Sequence, residues 1–417
     1  MAAIGSGSAQ GKASRAAALR LVVLFGVVSL FADMVYEGGR SITGPYLALL
    51  GASGAAVGIV AGGGELLGYS LRLVSGRLAD ATRLYWPLTI AGYVVQMLAV
   101  PALALVGSWP AAAVLIILER VGKAMRNPPR DAMLAGASTE IGRGWAFGVH
   151  EALDQVGALV GPLLAAGILW LQGSFALAFA ILAIPAVITL ATLAVARITY
   201  PDPGGVSARK ADVRTEGLSS TFWLYIAGAG LVGAGFSDFS LMAFHFQKAG
   251  TLHDLTQMLG LQPSLTEALP AVFYALAMGT SGLGSLLFGR LFDRRGIVVL
   301  VPLTAATAFF APLAFLGGGL AALAGTILWG IGLGVHESVM QAAVAQIVPA
   351  GRVASAYGLF NLGFGVAWFA GSAVMGALYD LSIPALVVFS MIAELAAIPL
   401  FLRLRRHPAL RGSGSAA

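Results

Sequence analysis

Two short stretches decide the architecture: Gly76-Arg77-Leu78-Ala79-Asp80 and, 213 residues later, Gly289-Arg290-Leu291-Phe292-Asp293. Each ends an apolar run long enough to cross a bilayer. A second echo supports the first. Phe147-Gly148 and Gly161 recur as Tyr357-Gly358 and Gly371, each 210 residues on, and Asp33 has a looser counterpart in Asp238. Outward from these motifs lie stretches with no Lys, Arg, Asp or Glu: Leu84 to Leu118, Gln155 to Ala196 and Gly296 to His336, of 35, 42 and 41 residues. One span needs about 20 apolar residues, so each stretch reads as a helical hairpin. Tight turns are visible at Gly107-Ser108-Trp109-Pro110, Gln172-Gly173-Ser174 and Gly317-Gly318-Gly319. Backbone in hydrocarbon must satisfy its own hydrogen bonds, which makes these spans helices. The alternating pattern of a membrane barrel is absent.

The pattern predicts twelve spans. They cover 19–49, 54–79, 85–106, 110–133, 143–171 and 174–197, then 219–249, 266–289, 296–317, 320–348, 352–379 and 382–403. The expected organisation is a tail (1–18), an N-terminal six-helix bundle (19–197), a linker (198–218) with Pro201, Pro203, Gly204 and Gly205, a C-terminal bundle (219–405) and a second tail (406–417). No signal peptide is expected in the first tail, which lacks a separate apolar core. Composition agrees. The 417 residues are 58% hydrophobic and 11% charged, against about 25% charged in soluble domains. Disorder and a soluble enzyme are excluded. The absence of cysteine removes disulfides, thiol nucleophiles and Cys-based metal sites.

The cations set an orientation. Lys12, Arg15 and Arg20 are assigned to the N-terminal segment. Arg72, Arg77 and Arg83 are assigned to loop 2–3, and Lys123, Arg126, Arg130 and Arg143 to loop 4–5. The other even-to-odd loops and the C-terminus are likewise basic, and together these segments hold 22 of the 25 Lys and Arg. The odd-to-even loops are nearly bare. The positive-inside rule then places both termini in the cytoplasm of a plasma (inner) membrane protein. The net charge of +6 is a topology signal, not a nucleic-acid footprint. The one long external loop, 250–265, is expected to hold a short helix on the membrane surface, from its Leu252, Leu255, Leu259 spacing.

Ionisable groups inside the bilayer are costly and need a partner, a wet cavity or a function. Asp33, Glu65, Glu119, Arg120 and Asp154 fall near mid-membrane in the first half; Asp238, His336 and Glu337 lie in the second. Counted this way, the first half sets four carboxylates against one arginine. Like charges that close do not all ionise in a low dielectric. Arg120 is therefore expected to pair with one acid, and Asp33 or Asp154 to carry a proton. Glu65 is open between interhelical glue and cavity chemistry, and the His150–Asp154 pair between a relay and a simple hydrogen bond. Glu37 and Arg40, three apart, read as an outer ion pair. His245 reads as a surface residue. No metal site is expected: His336-Glu337 begins like a zinc-protease helix, but Met340 stands where the second His is required.

The motifs resemble the major facilitator superfamily over essentially the whole chain. Gly76-Arg77-Leu78-Ala79-Asp80 resembles its loop 2–3 signature, and Gly289 to Gly296, with Arg290 and Asp293, the matching loop 8–9 copy. Gly157-Ala158-Leu159-Val160-Gly161-Pro162 resembles its span 5 antiporter signature, although Ala165 and Ala166 stand where glycines are preferred. Glu119-Arg120 with Gly122-Lys123, and Pro129-Arg130-Asp131-Ala132, resemble a bacterial drug/proton-antiporter-like branch. The resemblance implies an all-α membrane fold of two pseudo-symmetric six-helix bundles. Spans 1, 4, 7 and 10 would line a central cavity, spans 2, 5, 8 and 11 would flank it, and span 12, with Glu394, would be peripheral. Asp80 and Asp293 would bias a gate. Gly157, Gly161 and Pro162 would allow close packing or a kink.

The expected function is secondary transport: proton-coupled export of a neutral or cationic amphipathic molecule by alternating access, as a monomer. The proton gradient is the energy source; no cofactor, nucleic-acid partner or catalytic set is expected. The alternatives are a proton-coupled importer of a small metabolite and, from a different class, a receptor or channel.

Overall fold

Serines start several helices and glycines stop others. The hydroxyls of Ser53, Ser174, Ser219 and Ser382 accept from the amides of Ala56, Leu177, Phe222 and Ala385, filling donors that a helix start leaves open. Gly173 and Gly296, at φ +60° and +68°, take backbone conformations that side chains resist. The computed structural model describes residues 6–137, 143–201, 218–348, 353–405, 407 and 410. Most of the expected linker and C-terminal tail, and Arg352, lie outside them.

The membrane helices are α1 (Ser6–Leu49), α2 (Gly54–Thr82), α3 (Tyr85–Leu105), α4 (Trp109–Ala137), α5 (Arg143–Gln172) and α6 (Phe175–Thr199) in the first half. The second half has α7 (Ser220–Ala249), α8 (Leu265–Arg295), α9 (Ile297–Leu316), α10 (Gly319–Ile347), α11 (Val353–Leu381) and α12 (Ile383–Leu404). No β-strand occurs among the described residues. Eleven of these helices are long and apolar enough to cross a membrane. The exception is α4, which carries Glu119, Arg120, Lys123, Arg126, Arg130 and Asp131.

The two bundles meet through α2 against α11 and α5 against α8, the pairing that two parallel repeats produce. Repeated glycines carry repeated contacts. A Cβ on Gly161 of α5 would stand 2.3 Å from the Met34 carbonyl oxygen of α1; one on Gly371 of α11 would stand 2.0 Å from that of Ala234 in α7. Only glycine allows these backbones so close. Pro162 lies inside α5, next to that contact.

Three expectations change. Residues 6–18, expected as a disordered tail, are helical and continue into α1. Span 7 is not one helix. It breaks into α7a (Ser220–Gly235) and α7b (Phe239–Ala249), and Asp238 starts the second piece by accepting from the Ser240 amide at 2.9 Å. The external loop does hold a short helix, His253–Met258, but Leu252 and Leu255 are buried, with Leu255 against Gly319 at the start of α10. The side carrying the even-to-odd connections is called the basic side below, and the opposite one the bare side.

Candidate substrate cavity

Helix α4 is the spine of the first-half polar network. Glu119, Arg120, Lys123, Arg126 and Arg130 follow at helical intervals and so share one broad face, which meets α1, α2 and α3. On the bare side, Arg120 pairs with Glu65 of α2 at 2.9 Å and with Glu119 at 3.4 Å, and donates to the Tyr36 hydroxyl. Arg40 of α1 pairs with Asp238 at 2.7 Å and Glu65 at 3.4 Å. Gln96 of α3 donates to Glu119 at 2.9 Å.

On the basic side, Arg126 is almost wholly buried. It donates to the Tyr93 hydroxyl at 2.9 Å and to Gln96, and lies 3.7 Å from Asp33. The Asp154 carboxyl of α5 faces that of Asp33. Arg130 donates to Ser29 at 3.0 Å and pairs with Asp131 at 2.8 Å; Ser29 in turn meets His150 at 3.3 Å.

This geometry corrects the charge count made from sequence. Arg72, Lys123, Arg126 and Arg130 are not loop cations; they lie on α2 and α4 inside the molecule. The four acids of the first half therefore share their space with Arg40, Arg120, Lys123, Arg126 and Arg130. The Glu37–Arg40 ion pair does not form: Arg40 reaches across to Asp238, and Glu37 accepts from the Tyr274 hydroxyl of α8. His150 meets Ser29, with no hydrogen bond to Asp154. His245 is buried against the Tyr379 hydroxyl at 3.1 Å rather than exposed. Glu394 is fully buried, accepting from Thr307 at 2.9 Å, because α12 packs on α7a and α9.

Between the halves lies a cavity of about 510 Å³, a size that suits a small organic molecule. Tyr36, Glu37, Arg40, Glu65, Arg120 and Lys123 line its first-half wall, and Glu337, Gln341 and Asn361 belong to the second-half wall. Tyr69, Phe360, Phe364 and Trp368 supply rings. It reaches toward the basic side, where Arg72 and Tyr357 line it. Asp33, Glu119, Asp154 and Asp238 do not line it; they turn into the ion network. The cavity is therefore not acidic, and an expected preference for cations loses its basis.

The bare side is sealed. Asp380, at the end of α11, accepts from the Gly54 and Ala55 amides at the start of α2, both at 2.8 Å. A Cβ on Gly44 of α1 would stand 2.1 Å from the Ser240 carbonyl oxygen of α7b. Sequence reasoning missed Asp380, which looks like an ordinary helix-end acid, and Gln96, which carries no charge. The gate motifs sit at the opposite end. Asp80 accepts from the Tyr85 hydroxyl at 3.0 Å, Gly76 approaches Pro128, and Arg77, Arg290 and Asp293 are exposed. Nothing crowds Gly289 within 4 Å.

Two membrane bundles clasping one central cavity define a carrier. The profile of the Major Facilitator Superfamily matches residues 29–372 and 250–417. An uncharacterized protein of Mycobacterium tuberculosis is 41% identical over 395 residues, 93% of each chain. An uncharacterized MFS-type transporter of Methanocaldococcus jannaschii is 32% identical over 174 residues, covering 41% of this chain and 43% of its own. Among solved structures, a peptide transporter POT in complex with sulfate superposes with a TM-score of 0.75 at 16% identity, over 94% of this chain and 96% of the other. A nucleoside transporter, NupG, gives 0.72 at 14%, over 91% and 99%. These distant likenesses show the fold. The chain belongs to the major facilitator superfamily. It is a multi-span secondary transporter of a small molecule, and not an enzyme.

Proposed function

We propose that this transporter exports a small organic molecule across the plasma membrane, as a monomer, in exchange for protons. The reading rests above all on the Asp33 and Asp154 carboxyls, which face one another beneath Lys123 and Arg126. Two carboxylates at such closeness are strongly coupled, and one proton between them removes their repulsion. Loss of that proton leaves a charge that attracts Lys123 and Arg126 and alters the packing of α4 on α1 and α5. The export direction is supported by the Gly157 to Pro162 signature in α5. With the basic side cytoplasmic, the sealed bare side makes this the inward-facing arrangement, and rocking of the halves would expose the cavity outward. Asp80 and Asp293 would bias that rocking from the cytoplasmic ends of α2 and α8.

Proteoliposomes with an imposed pH gradient provide the test. Substrate movement driven by the gradient should persist in wild type and be lost in Asp33→Asn combined with Asp154→Asn, while downhill exchange survives. Full gradient-driven transport in that double variant would overturn the proton assignment.

A further inference from the structure

Among the cavity's charges without an ion pair, the cations stand on the first-half wall and Glu337 on the second; the other such acid, Glu37, accepts from the Tyr274 hydroxyl. Arg40 and Arg120 are already matched by Asp238, Glu65 and Glu119. Two other first-half cations have no carboxylate within ion-pair distance among the described residues, although Lys123 also lies near Asp33 and Glu37. Lys123 places its Nζ 3.4 Å from the centre of the Tyr36 ring, a contact with an aromatic face and no carboxylate. Arg72 stacks 5.5 Å from the Tyr69 ring, and its buried Nε has no hydrogen-bond partner. Facing them from α10, Glu337 is exposed to the cavity. Among the described residues it makes no hydrogen bond or ion pair. It lies within electrostatic reach of Lys123, Arg40, Glu37 and Glu151. Beside it, Gln341 donates to Asn361 at 3.1 Å, and Phe364 packs edge-on against Trp368.

We infer that the cavity binds a zwitterion, with an anionic oxygen group held by Lys123 and Arg72, a protonated amine held by Glu337, and an apolar body against Phe364 and Trp368. The inference rests on the carrier reading and narrows its substrate class. A cation alone would meet Glu337 but leave two cations facing it; an anion alone would leave Glu337 uncompensated. A zwitterion satisfies both walls; with a carboxylate as its anionic end it is neutral, which keeps the neutral half of the sequence expectation, whereas a phosphate monoester end would leave it net negative at neutral pH. Because Lys123 and Arg72 belong to the first half and Glu337 to the second, such a ligand would tie the two bodies together. The anionic end is either a carboxylate or a phosphate.

Thermal stabilisation of the purified full-length protein tests this without any gradient. The probes are 3-phenylpropionate, 3-phenylpropylamine, phenylalanine, phenylalanylalanine and phosphoethanolamine at millimolar concentration. Stabilisation confined to zwitterions is expected, and whether the dipeptide or the phosphate compound acts identifies the anionic end. Glu337→Gln and Lys123→Gln should each weaken zwitterion binding at least about tenfold, close to 1.4 kcal/mol, and Glu337→Gln should gain relative preference for 3-phenylpropionate. Arg72→Lys, which keeps the charge, should retain binding better than Arg72→Gln. Stabilisation by the amine or the acid alone, by no zwitterion, or unchanged zwitterion binding in Glu337→Gln would each overturn the inference. Zwitterion binding without gradient-driven movement would leave it standing and reject proton coupling instead.

Discussion

Arg40 shows what a buried charge does when several acids compete for it. It is held by Asp238 across the bundle interface and by Glu65 within its own bundle. Removing Arg40 strands the buried Asp238 carboxylate, while Glu65 keeps Arg120; breaking such a buried pair costs about 3–5 kcal/mol. Arg40→Ala should therefore lower the unfolding midpoint in detergent strongly, and Arg40→Ala with Asp238→Asn should recover part of the loss. Asp238 also starts α7b, and the two roles are separable. Asn is as good a helix start as Asp, so Asp238→Asn removes only the charge. Asp238→Ala removes the cap as well and should cost about 1 kcal/mol more. Equal midpoints for the two variants would show that the cap contributes nothing.

The sequence exposed the identities of most of these acids but not their partners. Glu65, Glu119 and Asp238 stood out because apolar surroundings make any charge visible. Lys123, Arg126 and Arg72 were absorbed into a topology count, since a cation near a helix end looks the same whether it faces water or a cavity. Only packing tells them apart: α4 continues as a helix to Ala137, which carries Arg126 and Arg130 into the bundle. Glu394 and His245 were misplaced for the complementary reason. Helix number alone does not say which face meets a neighbour.

At the level of helices, close packing rests on a few positions. Adding one methyl at Gly161 or Gly371 drives it into a carbonyl oxygen, whereas a Cβ on Gly167 meets nothing within 4 Å. Gly161→Ala and Gly371→Ala should each reduce the monodisperse fraction on size-exclusion chromatography and lower the unfolding midpoint. Gly167→Ala should stay within about 0.5 kcal/mol of wild type. The spans and the repeat were legible because hydrophobic length and charge-free gaps are local properties. The break in α7 was not. Its residues, Phe236-Ser237-Asp238, contain no proline and follow Gly235, one of many glycines inside the spans; there Asp238 accepts from the Ser240 amide and pairs with Arg40.

For the whole molecule, the bare-side seal holds the conformation described. Asp380 accepts from two amides at the α2 N-terminus, where backbone donors and the helix dipole both favour a carboxylate. Asp380→Ala should shift the population toward opening on that side. The chain contains no cysteine, so Val57→Cys, introduced at a buried position behind the seal, reports it directly. Labelling by a membrane-impermeant maleimide should be several-fold faster with Asp380→Ala than without it. An unchanged rate would show that the seal is held elsewhere.

The divided seventh helix carries a mechanical consequence. Its inner piece, α7a, is packed on α11 and α12, whereas its outer piece, α7b, rests chiefly on α1 and α2 of the opposite repeat. If each piece travels with what it touches, the joint at Phe236–Asp238 is a fulcrum inside one helix. The line along which the carrier flexes then departs from the line along which its sequence was duplicated: the first moving body has six and a half helices, and the second five and a half.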